Sequence, residues 1–207
     1  MTICRVASRL LLSIAEPAPE RSIHAVLPWV IDAGNPNFDW FFGKGEAPRR
    51  IERWMHQPSS EVAIGRAVVA ELYSEPVGGY TRVGGRDLQR CRVADGVATL
   101  SEAGEDSGAV RARMKMARDL LPALAADDLY LSKLGLLRPY RRKGFARLRV
   151  ERFLDRGSAQ GFDSFRLDVF ARHHRAAELC RLAGFQVVSE AVVPGTSLGY
   201  LAMALRH

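Results

Sequence analysis

The residues best suited by type and spacing to do chemistry lie between Leu131 and Ala146, where Arg141, Arg142 and Lys143 lead directly into Gly144 and Ala146. A helix that starts after such a turn leaves several backbone N–H groups without intrahelical acceptors and carries a partial positive charge, so it suits a diphosphate. Small residues at 144 and 146 let the backbone approach an anion closely, and the three cations add charge. Taken alone, the pattern suits a solvated basic loop equally well.

Other groupings exclude more than they offer. His173 and His174 with Asp168 suggest a metal site. Adjacent histidines in a strand-to-helix loop rarely point the same way, however, and no further ligand is spaced to complete a shell, so no metal is expected. No G-x-S-x-G element occurs, and the Gly157 to Gly161 run places Ser158 at a helix end rather than on a strand-to-helix elbow, which argues against a serine hydrolase. Gly43, Gly45 and Pro48 lack the third glycine and the βαβ setting of a dinucleotide site. Phe38, Trp40, Phe41 and Phe42 form an aromatic cluster that either packs in the core or walls a substrate pocket.

The pattern downstream gives the basic turn its meaning. Arg141-x-x-Gly144-x-Ala146 follows a strand; Phe165 to Phe170 then reads as another strand, and His173, Ala176, Cys180 and Gly184-Phe185 follow at fixed spacing. This arrangement resembles the Gcn5-related N-acetyltransferase (GNAT) family, whose signature is R/Q-x-x-G-x-G/A followed by a strand, an N-x-x-A-x-x-x-Y helix and G-F. The resemblance is close from about residue 128 to 205 and looser upstream, where Val77 to Tyr80 is similar to the family's second hairpin.

The resemblance implies an α/β fold of the α+β kind: a mixed, mostly antiparallel sheet of about seven strands, flanked by helices and splayed between the fourth and fifth. It implies acetyl-coenzyme A as cosubstrate, with Leu134, Gly135 and Leu136 pairing with the pantetheine arm and the backbone of Arg142, Lys143, Gly144, Phe145 and Ala146 holding the pyrophosphate. Arg141, His173 and Ala176 complete the implied cofactor set. The implied reaction is direct attack of a small-molecule or peptide amine on the thioester, with the oxyanion held by a backbone N–H near Leu136. The acceptor pocket is expected around Trp29, Trp40, Trp54 and the Pro194 to Leu198 loop, and a homodimer is an assembly common in such folds.

Two positions depart from the family pattern: His173 stands where asparagine is usual, and Cys180 where the tyrosine proposed as general acid is usual. A thiolate leaves without much help, because thiols ionise near pKa ~8.5. Cys180 is therefore either the acid or a packing residue on the apolar stripe of a short helix. The attacking amine must lose a proton, and Tyr130, Ser132 and Asp128 on the strand beside the thioester are the candidate bases. A GNAT-fold acyl-CoA-binding or sensor protein with weak turnover, and a basic nucleic-acid-associated protein, stand as the alternative readings.

The elements that must position these residues are read from periodicity and punctuation. Strands are expected at Thr2 to Val6, Ala67 to Tyr73, Val77 to Val83, Asp128 to Leu137, Phe165 to Val169, Gln186 to Val193 and Leu198 to Leu205. Helices are expected over residues 20–33, 47–56, 107–126, 145–160 and 175–183, with Pro122 kinking or ending the third. Arg86 to Ser107 is polar and irregular and reads as a loop.

A chain of 207 residues, 47% apolar and 26% charged, suits one globular domain spanning 1–207 and contains no apolar run long enough to cross a bilayer. The N-terminal stretch reads as a first strand and connecting loop rather than a signal peptide. Cys4, Cys91 and Cys180 are scattered and odd in number, which argues for a reducing, cytoplasmic setting. The +7 net charge invites a nucleic-acid reading, but only four of thirty basic residues are lysines and the arginines are spread along the chain, which argues for compositional bias and against nucleic acid as the partner.

Overall fold

A computed structural model describes residues 12–15, 18–19, 22–102, 107–120 and 122–206. In chain order these form β1 (Leu12–Ala15), α1 (Ile23–Gly34), α2 (Asn37–Phe42), α3 (Ala47–Met55), β2 (Ala67–Leu72), β3 (Glu75–Gly84), α4 (Gly85–Glu102), α5 (Ser107–Leu120), β4 (Asp128–Leu136), α6 (Phe145–Ala159), β5 (Ser164–Phe170), α7 (His174–Leu182), β6 (Gln186–Val192) and β7 (Gly199–Arg206). The strand expected at Thr2 to Val6 falls outside the described residues. No described helix is long and apolar enough to cross a membrane.

The seven strands make one sheet in the order β1-β2-β3-β4-β5-β7-β6. Every pairing is antiparallel except β4 with β5, whose parallel connection runs through α6. Alternation along the strands sends successive side chains to opposite faces. Val69 accordingly joins the core under α1, α2 and α3 with Trp29, Val30 and Ile51, while Val68 joins the core under α6 and α7 with Phe153, Phe165 and Met203.

Two irregularities shape the centre of the sheet. The β4–β5 register runs from Asp128 opposite Ser164 to Leu131 opposite Leu167 and stops there, although both strands continue. Between β3 and β4, Thr81 faces Lys133 while Arg82 faces Leu131, so Ser132 is the extra residue of a bulge. The splay expected between the fourth and fifth strands is thus present, and it begins at the bulge.

The segment expected as a loop from Arg86 to Ser107 is instead the 18-residue helix α4. Its buried stripe is Leu88, Cys91, Asp95 and Thr99, with Gly96 beneath Met114, while Val93 and Val97 are exposed. Polar residues facing in and valines facing out hide the helical period from an apolar count. The next helix, α5, ends at Leu120 ahead of Pro122, which lacks the N–H a further turn would need.

Helix α6 is held very close to the sheet at Gly157, where an added Cβ would lie 2.3 Å from the Phe165 ring and 2.8 Å from Leu129 Cδ2. Gly157→Ala gains about 1 kcal/mol of helix propensity and meets an overpacking cost of about 1–3 kcal/mol. The expected outcome in urea unfolding is a net loss of about 0–2 kcal/mol; a more stable variant would mean that α6 does not pack this closely.

Candidate functional site

The wedge between β4 and β5 opens toward the carboxyl ends of the one parallel pair among the described strands, the place where helices that follow such strands present their N-termini. Two helices do so here. Gly144 caps α6 at φ 85° and His173 caps α7. Neither cap makes a side-chain hydrogen bond to its helix, and neither helix has an acidic residue in its first turn, so nothing local neutralises the exposed amides.

The turn before α6 is open. Arg142 at φ 62° and Gly144 are both left-handed, Arg142, Lys143 and Gly144 are exposed, and no atom lies within 4 Å of where a Gly144 Cβ would stand. Phe145 anchors the turn by burying its ring, with Tyr140 edge-on at 6.4 Å. Lys143 Nζ lies 5.8 Å from the centre of the Tyr140 ring. Arg141 has a different job from the one its place in the motif suggests. Its Nε donates to the Leu136 carbonyl at 2.9 Å and its Nη2 to Asp32 at 2.5 Å, tying the end of β4 to α1.

At the apex of the wedge a polar cluster forms on the face covered by α1–α4. The Tyr130 hydroxyl donates to Asp168 Oδ2 at 2.7 Å, and Asp168 is the first β5 residue beyond the last β4–β5 pair. The bulge lets Ser132 and Lys133, neighbours in sequence, reach the same carboxylate, that of Glu61. The Ser132 hydroxyl donates to Glu61 Oε1, Lys133 Nζ lies 3.5 Å from the same oxygen, and Arg92 Nε donates to Oε2 at 3.3 Å. The Glu61 backbone N–H donates to Asp95 Oδ2 at 3.0 Å.

No protein-family model matches the sequence, and no curated protein matches it. Solved structures do match in shape. An N-acetyltransferase from Staphylococcus aureus Mu50 superposes with a TM-score of 0.70 at 16% identity, over 93% of this chain and 100% of that one. A GCN5-related N-acetyltransferase from Kribbella flavida gives 0.60 at 16% identity over 96% and 99%. The PaiA N-acetyltransferase from Thermoplasma acidophilum, in complex with coenzyme A, gives 0.55 at 11% identity over 95% and 99%. This chain has the GNAT fold.

Within the GNAT fold the expected site residues separate into groups. Leu134, Gly135 and Leu136 line the opened edge of β4; Gly144 and Phe145 lie at the head of α6 with Ala146 in its first turn; His173 and Ala176 sit at the head of α7. Cys180 is not at the wedge surface. It is 3% exposed among Leu167, Phe185 and Met203, on the packed side of α7, and burial pushes its thiol up to about 11. Asp128 is corrected too: at the far end of β4 it accepts from the Ser164 hydroxyl at 2.5 Å and the Ala125 N–H at 2.7 Å, which closes a turn. Trp29 and Trp54 lie in the α1–α3 core rather than in a pocket, whereas Trp40 and Leu198 pack with Phe170 and Tyr200 beside the wedge. Among the described residues no group of three or more histidine, cysteine, aspartate or glutamate side chains is arranged to hold a metal.

Glu61, Arg92 and Asp95 were not visible as site residues in the sequence, and Asp168 figured there only as a metal ligand. Burial raises the Glu61 pKa, but Lys133, Arg92 and the Ser132 hydroxyl together bring it down to about 2. Burial raises Asp95 to about 6, and the hydrogen bond from Glu61 offsets this only partly. Burial likewise raises Asp168, against the Tyr130 hydrogen bond and the Arg92 charge. Burial, then the Asp168 charge, holds the Tyr130 phenol well above its usual value.

The two linked carboxylates give opposite pH dependences. Glu61, depressed in the folded state, contributes stability above about pH 4.5 that is lost as pH falls toward 2. Asp95, raised in the folded state, contributes below about pH 4, and that contribution is lost as pH rises through 6. Asp95→Asn, neutral throughout, is therefore expected to remove a fall on the order of 2–3 kcal/mol between pH 4 and 7 in denaturant titrations. An unchanged slope would show that Asp95 is ionised at neutral pH in the folded chain.

Proposed function

We propose that this protein is an acetyl-coenzyme A-dependent N-acetyltransferase acting on a small-molecule or peptide amine in a cytoplasmic setting. One observation carries the reading: the open, cationic head of α6 faces the mouth of a wedge whose apex holds ionisable groups. The residues suit the cosubstrate. Backbone amides from Arg142 to Ala146 would hold the pyrophosphate, and the β4 edge at Leu134 to Leu136 would pair with the amides of the pantetheine arm. The head of α7 at His173 and Ala176 would flank it. Acetyl-coenzyme A supplies the acyl group as a thioester.

The chain's own residues supply the proton traffic. An amine with pKa near ~10.4 is mostly protonated at neutral pH and must give up a proton before it attacks. Asp168, the first β5 residue beyond the last β4–β5 pair, would take it, directly or through water; burial raises its pKa above the usual carboxylate value, which makes the ionised carboxylate a stronger base. The Tyr130 hydroxyl orients the Asp168 carboxylate by donating to Oδ2. Ser132, engaged by Glu61 and Lys133, holds the bulge rather than acting as a base. Trp40, Phe170, Tyr200 and Leu198 wall the acceptor side. The unpaired, buried thiols of Cys91 and Cys180 suit a reducing compartment.

Gly144→Asp puts a carboxylate and a side chain at a φ that favours glycine where the pyrophosphate would lie. Calorimetry with coenzyme A is expected to show binding lost; unchanged affinity would remove this turn from the site. Turnover is read by free-thiol release from acetyl-coenzyme A across a panel of amines, and binding without thiol release would select the acyl-CoA sensor.

Asp168→Asn is expected to lower kcat/KM by about 10²–10⁴-fold and remove the acidic limb of its pH profile, while Cys180→Ala keeps most of the rate. The reverse result would make Cys180 the acid and Asp168 a structural residue.

A further inference from the structure

Helix α4 lies against the apex of the wedge. Leu88 and Cys91 on its buried stripe pack with Val83 and Tyr130 in one small core, which sets the next residue, Arg92, against the Tyr130 ring. The Arg92 Cζ is 5.5 Å from the centre of that ring, and its Nε donates to Glu61 Oε2 at 3.3 Å. The same phenol donates its hydroxyl to Asp168 Oδ2 at 2.7 Å. Glu61, Arg92, Tyr130 and Asp168 thus form one chain of contacts, which runs from the segment before β2 through α4 and β4 to β5.

Each link has a physical consequence. The ion pair with Glu61 fixes the guanidinium in place, and its attraction to the face of the ring fixes the ring in turn. A positive charge beside the phenol also polarises its O–H, which strengthens the bond to the carboxylate. The charged and titratable groups that face Asp168 are Tyr130 and Lys133 from β4, Arg92 from α4, Glu61, and Tyr200 from β7. Two of these are cations. Lys133 is committed to the bulge: its Nζ lies 3.5 Å from Glu61 Oε1 and donates to the Ser132 carbonyl and hydroxyl at 3.1 Å each. Arg92 is the cation in contact with the residue that holds Asp168, and it opposes the effect of burial on Asp168 more strongly than Lys133 does.

We propose that Arg92 is a positioning residue for the proposed reaction: tethered by Glu61 and lying over the Tyr130 ring, it keeps the Tyr130 hydroxyl on Asp168 and supplies positive charge toward that carboxylate. The inference rests on Asp168 as the base of that reaction. Arg92 touches neither substrate; it acts through Tyr130 and through its charge, which favours the ionised carboxylate that accepts the amine proton.

Carbon-13 NMR can follow the Asp168 side-chain carboxyl, assigned by its absence in Asp168→Asn, through a pH titration of the full chain. Loss of a cation that favours the ionised form moves the midpoint up, so Arg92→Met is expected to titrate at higher pH than wild type and Arg92→Lys close to it. Free-thiol release from acetyl-coenzyme A, with the panel amine that wild type turns over fastest, is expected to follow. The kcat/KM deficit of Arg92→Met grows by about 3–10-fold from the alkaline to the acidic end of the profile, and Arg92→Lys restores most of it. Should Arg92→Met fail to fold, Arg92→Gln serves in its place with the same expectation. An unmoved midpoint, or equal movement in Arg92→Met and Arg92→Lys, would overturn the proposal and leave Arg92 a structural partner of Glu61. A midpoint that moves while the rate profile does not would remove Asp168, and Arg92 with it, from the chemistry. A midpoint that moves in a chain releasing no thiol with any amine sinks the transferase reading instead, with the hold of Arg92 on Asp168 upheld.

Discussion

Beyond Leu131 and Leu167 the two parallel strands stop sharing hydrogen bonds, and the backbone edges that face each other there are left to find other partners. Such groups are costly to bury unpaired, so a gap of this kind persists only where water or an extended ligand can enter. The cause is local. The bulge at Ser132 bends β4 away while β3 continues to pair with it through Leu136, and Glu61 holds the bulged pair of side chains from one side. A loop residue 71 positions upstream thus helps to keep open the opening on which the candidate site depends.

The same cluster shows how position sorts chemically similar carboxylates. Glu61 has two cations and a hydroxyl on its oxygens and stays ionised despite burial. Asp95 has the Glu61 backbone N–H and Ser60 as hydrogen-bond partners but no cation on its oxygens, its Oδ1 has no partner among the described residues, and burial pushes it toward the neutral form. Asp168 is raised by burial too, against the Tyr130 hydrogen bond and the nearby Arg92 charge. Groups whose environments separate their protonation states are the raw material of proton transfer, and this division arises from packing rather than residue type.

Much of this was legible in the sequence because several levels agreed. Around α6, the strand pattern, the basic turn, the left-handed glycine and the apolar stripe all point to one local structure, and the sheet opened where that structure required it. Helix α4 was missed because its inward stripe carries Asp95, Gly96 and Thr99 while Val93 and Val97 face out, which inverts the usual cue. A signal was present in the spacing of Leu88, Cys91, Asp95 and Thr99 and in the absence of proline. Glu61 was beyond reach for another reason: its meaning comes entirely from contacts distant in sequence. The tryptophans misled because ring size does not reveal depth; Trp29 and Trp54 fill the core, and only Trp40 sits near the wedge.

The surplus of positive charge makes sense when followed pair by pair. Several arginines are matched: Arg50 and Arg53 lie near Glu102, Arg141 reaches Asp32, and Arg147 pairs with Glu151 one turn along the same helix. The exposed pairs among these add little stability, but all of them cancel charge locally. Among the described residues Arg142 and Lys143 make no ion pair, and they stand at the head of α6, where the helix dipole has the same sign. Among the described residues Arg149 Nε and Nη1 and Arg152 Nε on the same helix also lack a hydrogen-bond partner. Net charge alone suggested a polyanion spread over a surface; its distribution instead leaves unbalanced cations at the head of one helix, where a compact anion can neutralise them.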